Sequence, residues 1–195
     1  VRLEPLTLAH VPGLVAAAGV ERGSYALTTV PDDEAGMRDY VAGALEEQRA
    51  GRAVPFATVD RRTARVVGST RFGNLEYWSW PPGSPHQRPP DRPDAVEIGW
   101  TWLSPDAQRS GINTEAKLLM LGHAFEVWRV LRVTIKTDAR NARTRAAIER
   151  LGARLDGVLR AARPGADGAL RDTATYSIVE AEWPALKAAL AARLR

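Results

Sequence analysis

The 195-residue chain contains no cysteine, which excludes disulfides, a cysteine nucleophile and thiolate metal sites. Histidine is scarce as well. His10, His86 and His123 stand alone, at no metal-ligand spacing, so no metal is expected. A membrane span needs about 20 apolar residues. The longest apolar stretch, Leu118 to Leu131, is interrupted by Gly122, His123, Glu126 and Arg129, so no membrane association is expected. Nothing near Val1 reads as a signal peptide, and a cytoplasmic location is the expectation. Two phosphate-binding signatures are missing too: the Gly-Lys-Ser/Thr ending of a Walker loop and the G-x-G-x-x-G of a dinucleotide fold.

What remains is ordinary for a globular protein: 45% hydrophobic and 26% charged residues. The length suits one domain over residues 1–195. Net charge is only +4 although the pI is about 9.8, because the basic set is rich in arginine and poor in lysine. A basic surface attracts anions, nucleic acid or a phosphorylated cofactor alike. The arginines are scattered among acidic residues rather than gathered into a stripe, which argues against nucleic acid as a partner.

Periodicity predicts a first strand over 1–6 and a short helix capped by Thr7, with Leu8, Val11, Leu14 and Val15 on one face. A second helix is expected from an Asp32 N-cap, with Met37, Tyr40, Val41, Ala44, Leu45 and Gln48 at helical spacing and Gly51 as its stop. Strand-like runs at 53–60 and 66–75 read as a hairpin. The segment 76–93, dense in Pro, Gly and Ser, reads as a long loop, of the kind that is often functional or mobile. A strand over 95–103, a helix over 113–130, a strand over 132–137 and a helix over 141–151 closed by Gly152 follow. Strands near 154–161 and 173–179, and a helix from Pro184 to the C-terminus, complete a mixed α/β pattern. Trp100, Trp102, Phe125 and Trp128 are expected in the core.

The chemistry concentrates where the strand ending at Leu103 runs through Ser104 to Gly111 into a helix. A helix start carries unpaired N–H groups and a partial positive charge, and is suited to a diphosphate. Gly111 allows close approach, and Gln108, Arg109 and Ser110 can add donors. A merely polar connection between strand and helix would look much the same.

Three segments together are more specific: Glu97-Ile-Gly-Trp followed by Leu103, Gln108-Arg-Ser-Gly-Ile-Asn-Thr-Glu-Ala116, and Asn141-Ala-Arg-Thr-Arg-Ala-Ala-Ile-Glu-Arg-Leu-Gly152. In this order they resemble the GNAT superfamily of N-acetyltransferases over nearly the whole chain. The segment Asp167-Gly168…Arg171-Asp172…Tyr176-Ser177 is similar to the ribosomal-protein-alanine (Rim-type) branch. The resemblance implies a strongly bent mixed sheet of six to seven strands, splayed at the Glu97 strand and flanked by helices on both faces. It implies acetyl-CoA as donor, with the pantetheine arm beside Trp102 and Leu103. The pyrophosphate would rest on Gln108, Arg109, Ser110, Gly111, Ile112, Asn113 and Thr114, and Asn141 and Arg143 would lie across from it.

Amine transfer to a thioester requires loss of a proton from the amine and stabilisation of the departing thiolate. Glu97 is the candidate base, acting through water, and its alternative is a carboxylate paired with a neighbouring arginine. Thr144 matches a Ser/Thr position thought to bond the coenzyme sulfur in the Rim-type group; its alternative is a helix residue bonding backbone. Tyr77, Trp78 and Trp80 either wall an acceptor pocket or pack onto the sheet. Two departures stand out. Ile148 occupies the place of a tyrosine acid common in these enzymes, and Arg163 that of the Rim-type catalytic glutamate, nineteen residues beyond Thr144. An acetyl-CoA-dependent N-acetyltransferase acting on a small amine or a peptide N-terminus is therefore one expectation, and an acyl-CoA-binding module without turnover the other. Related enzymes often pair, so a homodimer is also expected.

Overall fold

A computed structural model of the protein describes residues 1–19 and 21–194. Alternating apolar and polar residues build one seven-stranded sheet: β1 (Arg2–Pro5), β2 (Ala53–Asp60), β3 (Arg65–Glu76), β4 (Ala95–Leu103), β5 (Arg132–Asp138), β6 (Arg154–Pro164) and β7 (Leu170–Val179). The order is β1-β2-β3-β4-β5-β7-β6, antiparallel throughout except for the central β4–β5 pair. The hairpin expected at 53–75 is present, and the last two strands reach further toward their turn than the pattern indicated.

Helices cover both faces. Val11, Leu14, Met37, Val41 and Ala44 from α1 (Val11–Ala18) and α2 (Glu34–Arg49) bury against Ala57 and Trp102 on one side. On the other, α3 (Ile112–Gly122), α4 (Ala142–Arg150) and α5 (Trp183–Ala192) join Phe72, Val96, Ile98, Val133, Ile135, Ala174 and Tyr176 in the larger core. The N-cap of α2 is Asp33, whose carboxylate accepts from the Gly36 amide at 2.7 Å, and not Asp32. The helix expected to reach Val130 is regular only to Gly122; His123–Trp128 is a π-helical turn closed by Arg129 at φ 60°. The expected run of α5 to the chain end falls on Arg195, outside the described residues; α5 itself ends at Ala192.

The loop between β3 and β4, residues 77–94, is tied down at its ends. Asp94 is 3% exposed, and its two oxygens accept from the Trp78 amide and the Trp80 indole, each at 2.7 Å. Its own amide donates to Glu76 O at 2.7 Å. Trp80 packs on Trp78 and on His86.

One buried charge stands out. Lys117 of α3 is 3% exposed and pairs with no carboxylate among the described residues: its ammonium donates to Thr101 Oγ1 at 2.7 Å and Thr70 Oγ1 at 3.1 Å. Burial pulls its pKa down to about 7. The unfolded chain then holds more protons than the folded one between about pH 7 and the ordinary lysine value, so stability rises with pH across that window. Below it, the full cost of burying the cation applies.

Two outcomes follow. Lys117→Met, which leaves Thr70 and Thr101 bonded to each other at 2.8 Å, should raise Tm at pH 6 by roughly 4–10 °C and flatten the rise toward pH 9–10, read by thermal melts. Asp94→Ala leaves two part-buried N–H donors without their acceptor and should cost about 1–3 kcal/mol in denaturant unfolding, with new protease cuts within 79–92.

Candidate active site

The parallel pairing of β4 with β5 spans only three residue pairs, Ala95–Arg132, Val96–Val133 and Glu97–Thr134. Beyond Glu97 the strands part, and 98–103 of β4 face 135–138 of β5 across an open V. A bulge accompanies the parting. β4 carries one extra residue between its Gly99–Arg71 and Trp102–Ser69 pairs, with Trp100 at φ 50°. A bulky residue in that conformation is strained, and a bulge sharpens the local twist of its strand. The bulge also reverses the alternation: Glu97 and Gly99 point toward the α1–α2 face, Thr101 toward α3, and Trp102 back into the α1–α2 core. Trp100, expected in the core, is 38% exposed because the extra residue turns its ring out over Gly73, where a Cβ would sit 2.5 Å from it.

At the wide end of the V lies the loop from Ser104 to Gly111. Gln108 and Ser110 do not offer their side chains outward. Gln108 Nε2 donates to Ser24 Oγ at 3.0 Å and Leu103 O at 2.9 Å, and Ser110 Oγ donates to Ala107 O at 2.6 Å. The outward donors are backbone. Among the described residues no acceptor pairs with the amides of Arg109, Ser110, Gly111, Asn113 or Thr114. Ile112 packs inward on Val67, Leu103 and Ala107 and fixes the helix start. A Cβ on Gly111 would meet only Leu194, at 3.5 Å, and Gly111 keeps an ordinary helical φ. Glycine there is not demanded by conformation or by protein packing, which leaves the cradle clear on its outer side. Unpaired amides converging at a positive helix end fit a diphosphate.

The other wall of the V begins with α4. Asn141 caps it, accepting from the Thr144 amide at 3.0 Å. Thr144 spends its amide on that cap, while its hydroxyl has no partner among the described residues. Arg143 reaches across the opening to Gln108 Oε1 at 3.1 Å and Ser24 O at 2.6 Å, so the two walls and the α1–α2 connection meet at one brace.

Trp102 and Leu103 line the β4 side. The Leu103 carbonyl accepts from Tyr25 Oη at 2.8 Å as well as from Gln108.

Glu97 sits at the apex, 8% exposed. Its partner is not an arginine: Oε2 accepts from Lys136 Nζ and Asn74 Nδ2, each at 2.8 Å. Oε1 lies beside Gly99, where a Cβ would stand 3.0 Å away. One oxygen is thus held and the other is directed at the strand surface. Below the apex, on the same face, is a cavity of about 380 Å³ lined by Glu76, Arg132, Thr134, Lys136, Asp156 and Thr175. None of these is aromatic. Of the loop residues, Trp80 is committed to Asp94, and Trp78 to Glu76 Oε2 at 2.9 Å while also carrying Arg132 over its ring at 5.3 Å. Tyr77 is exposed and joins neither. No aromatic side chain lines this cavity, and Trp78 stands beside it through Glu76 and Arg132.

The structure thus brings Glu97, the Gln108–Thr114 loop, Asn141, Arg143 and Thr144 around one cleft and leaves Tyr77 and Trp80 aside. Lys136, Asn74, Ser24 and Arg71 went unnoticed in the sequence. Each joins the site from another element, and no spacing along the chain marks them.

The sequence matches the family model described as "Acetyltransferase (GNAT) domain" over residues 1–154. No curated protein matches it significantly. A GCN5-related N-acetyltransferase from Brucella melitensis superposes with a TM-score of 0.83 at 28% identity, covering 100% of this chain and 82% of its own. An acetyltransferase-type protein of T. thermophilus is 36% identical, with a TM-score of 0.78, covering 100% and 93%. Mycobacterium smegmatis RimJ, solved with a CoA disulfide, shares the fold at 21% identity and a TM-score of 0.79, covering 99% and 88%. By its family match over residues 1–154, and by its 36% identity to the T. thermophilus protein along the whole chain, the chain belongs to the GNAT acetyltransferases.

Proposed function

We propose that residues 1–195 act as one acetyl-CoA-dependent N-acetyltransferase whose acceptor amine approaches from the α1–α2 face. The observation that supports this best is the set of amides of Arg109, Ser110, Gly111, Asn113 and Thr114, unpaired among the described residues, at the wide end of a cleft whose apex holds Glu97. Bound acetyl-CoA supplies an activated acetyl group as a thioester. In the transfer, a bond forms from the amine nitrogen to the carbonyl carbon, the C–S bond breaks, and the amine proton leaves while the thiolate gains one.

The chain's own residues divide the work. The Arg109–Thr114 amides hold diphosphate oxygens, and Trp102 and Leu103 present strand backbone along the cleft. Asn141, Arg143 and Thr144 close it from the other wall, with the free Thr144 hydroxyl directed to the sulfur. Glu97 takes the amine proton, directly or through water, while Lys136 and Asn74 fix its carboxylate. Ile148 and Arg163 leave no tyrosine acid or second glutamate in the positions that related enzymes use. Positioning must then carry much of the rate, and in favourable cases it supplies about 7–11 kcal/mol. The open, charge-lined groove favours an extended acceptor, a peptide N-terminus, over a small amine enclosed by aromatic rings. Binding without turnover remains the competing reading, motivated by those two replaced residues.

Calorimetry with acetyl-CoA comes first, beside Gly111→Glu, which puts a carboxylate into the cradle and should abolish binding. Binding by neither protein would overturn the proposal. Release of free thiol with peptide N-termini then tests transfer. Glu97→Gln should lower kcat by about 100-fold or more with acetyl-CoA affinity retained; an unchanged kcat would remove Glu97 as base.

A further inference from the structure

Arg71 is 7% exposed, yet no hydrogen bond or ion pair among the described residues engages its guanidinium. It stands on β3 opposite Gly99, on the α1–α2 face, between two aromatic rings: Trp100 at 4.7 Å and Tyr40 of α2 at 5.3 Å. Both rings contact the cation through their faces, which holds the guanidinium without using its N–H donors. Five donors in a planar fork are thereby left over.

The nearby carboxylates are already spent. Glu47 is gripped by Arg52 through two bonds of 2.8 Å, and Glu97 by Lys136 and Asn74. The guanidinium nitrogens themselves are not sealed from solvent, so an anion from outside the chain can reach donors that no group of the chain occupies. The neighbours of Arg71 are arranged for an occupant. Gly99 opposite it adds no side chain, the exposed ring of Trp100 covers Gly73, and Glu97 pairs with Gly73 one step along the same face.

We propose that Arg71 is a specificity residue that receives a carboxylate carried by the acceptor, placed so that the acceptor's amine lies at Glu97. Two residues of strand separate the Arg71 and Glu97 ladder positions, about 7 Å. That span suits a side-chain carboxylate near the amine, from an acidic residue at a peptide N-terminus or from an acidic amino acid. A lone planar fork matches a carboxylate bidentately, whereas a phosphate dianion would call for a second free cation, and Lys136 and Arg52 are both committed. The coenzyme's own phosphates belong at the Arg109–Thr114 amides, beyond the far end of β4.

This inference rests on the transfer reading, and the experiment separates the two. Initial rates by free-thiol release are compared for two hexapeptides that differ only by Glu or Gln beside an N-terminal Ala, and for L-glutamate against L-glutamine. The acidic member of at least one pair should be preferred tenfold or more in kcat/KM, and the pair that shows it identifies the source of the carboxylate. Arg71→Met should bring that ratio to about one, and Arg71→Lys should leave an intermediate ratio, since charge remains and the fork is lost. Acetyl-CoA affinity of each variant serves as the folding control. Turnover with no acidic preference in the unmodified protein overturns the carboxylate site and leaves the transferase standing. If nothing turns over, calorimetry of the two peptides in the presence of CoA decides. Tighter binding of the acidic peptide that Arg71→Met removes would sustain the site while transfer fails, and equal binding would overturn both.

Discussion

Everything at the site depends on where β4 and β5 stop pairing. Three residue pairs join them, and after Glu97 each strand presents an unpaired edge to the cleft. Such edges are normally liabilities that proteins cover or blunt. Here the parting is held open from both sides. The Trp100 bulge turns β4 away, and the α1–α2 core grips the strand again at Trp102, so the chain cannot relax back to a regular sheet without exposing that tryptophan.

The strain at Trp100 is matched by uses for what it displaces. Its ring lies on a glycine floor, its carbonyl is within 3.5 Å of Tyr40 Oη, and its π-face covers Arg71. Beneath the bulge, the Thr70–Thr101 hydroxyl pair and the buried Lys117 fill the space between sheet and α3 with hydrogen bonds where apolar side chains would otherwise close it. The same few residues of β4 thus shape the apex of the cleft, its α1–α2 side and the polar packing behind it.

Much of this architecture was legible in the sequence because the elements are periodic and well punctuated. The Glu97 strand, the polar turn into α3 and the Asn141 cap stand together in chain order, and the resemblance they support carried the splay with it. What could not be read were consequences of register. An extra residue at Trp100 shifts every later side chain to the opposite face, and neither composition nor alternation announces it. The same is true of partners: Lys136 and Asn74 meet at Glu97, and Ser24 meets Arg143, across separations that pattern along the chain does not encode. Residue type alone does not show how a side chain is spent: the Gln108 and Ser110 side chains brace their own loop, and the Trp78 and Trp80 indoles are held at the loop root by Glu76 and Asp94.

Those anchors isolate one part of the molecule mechanically from the rest. Both indoles are fastened at the root of the β3–β4 loop, to Glu76 and Asp94, immediately before the sheet resumes at Ala95. Further along, His86 packs on Trp80 and Arg88 lies 3.8 Å from Asp94, so the tip at residues 81–85 is the cassette on this rigid mount. Its length and composition can change by insertion, deletion or exchange without disturbing the strand that carries Glu97. Evolution, or an engineer, can vary the approach to the cleft there while the machinery underneath stays in register.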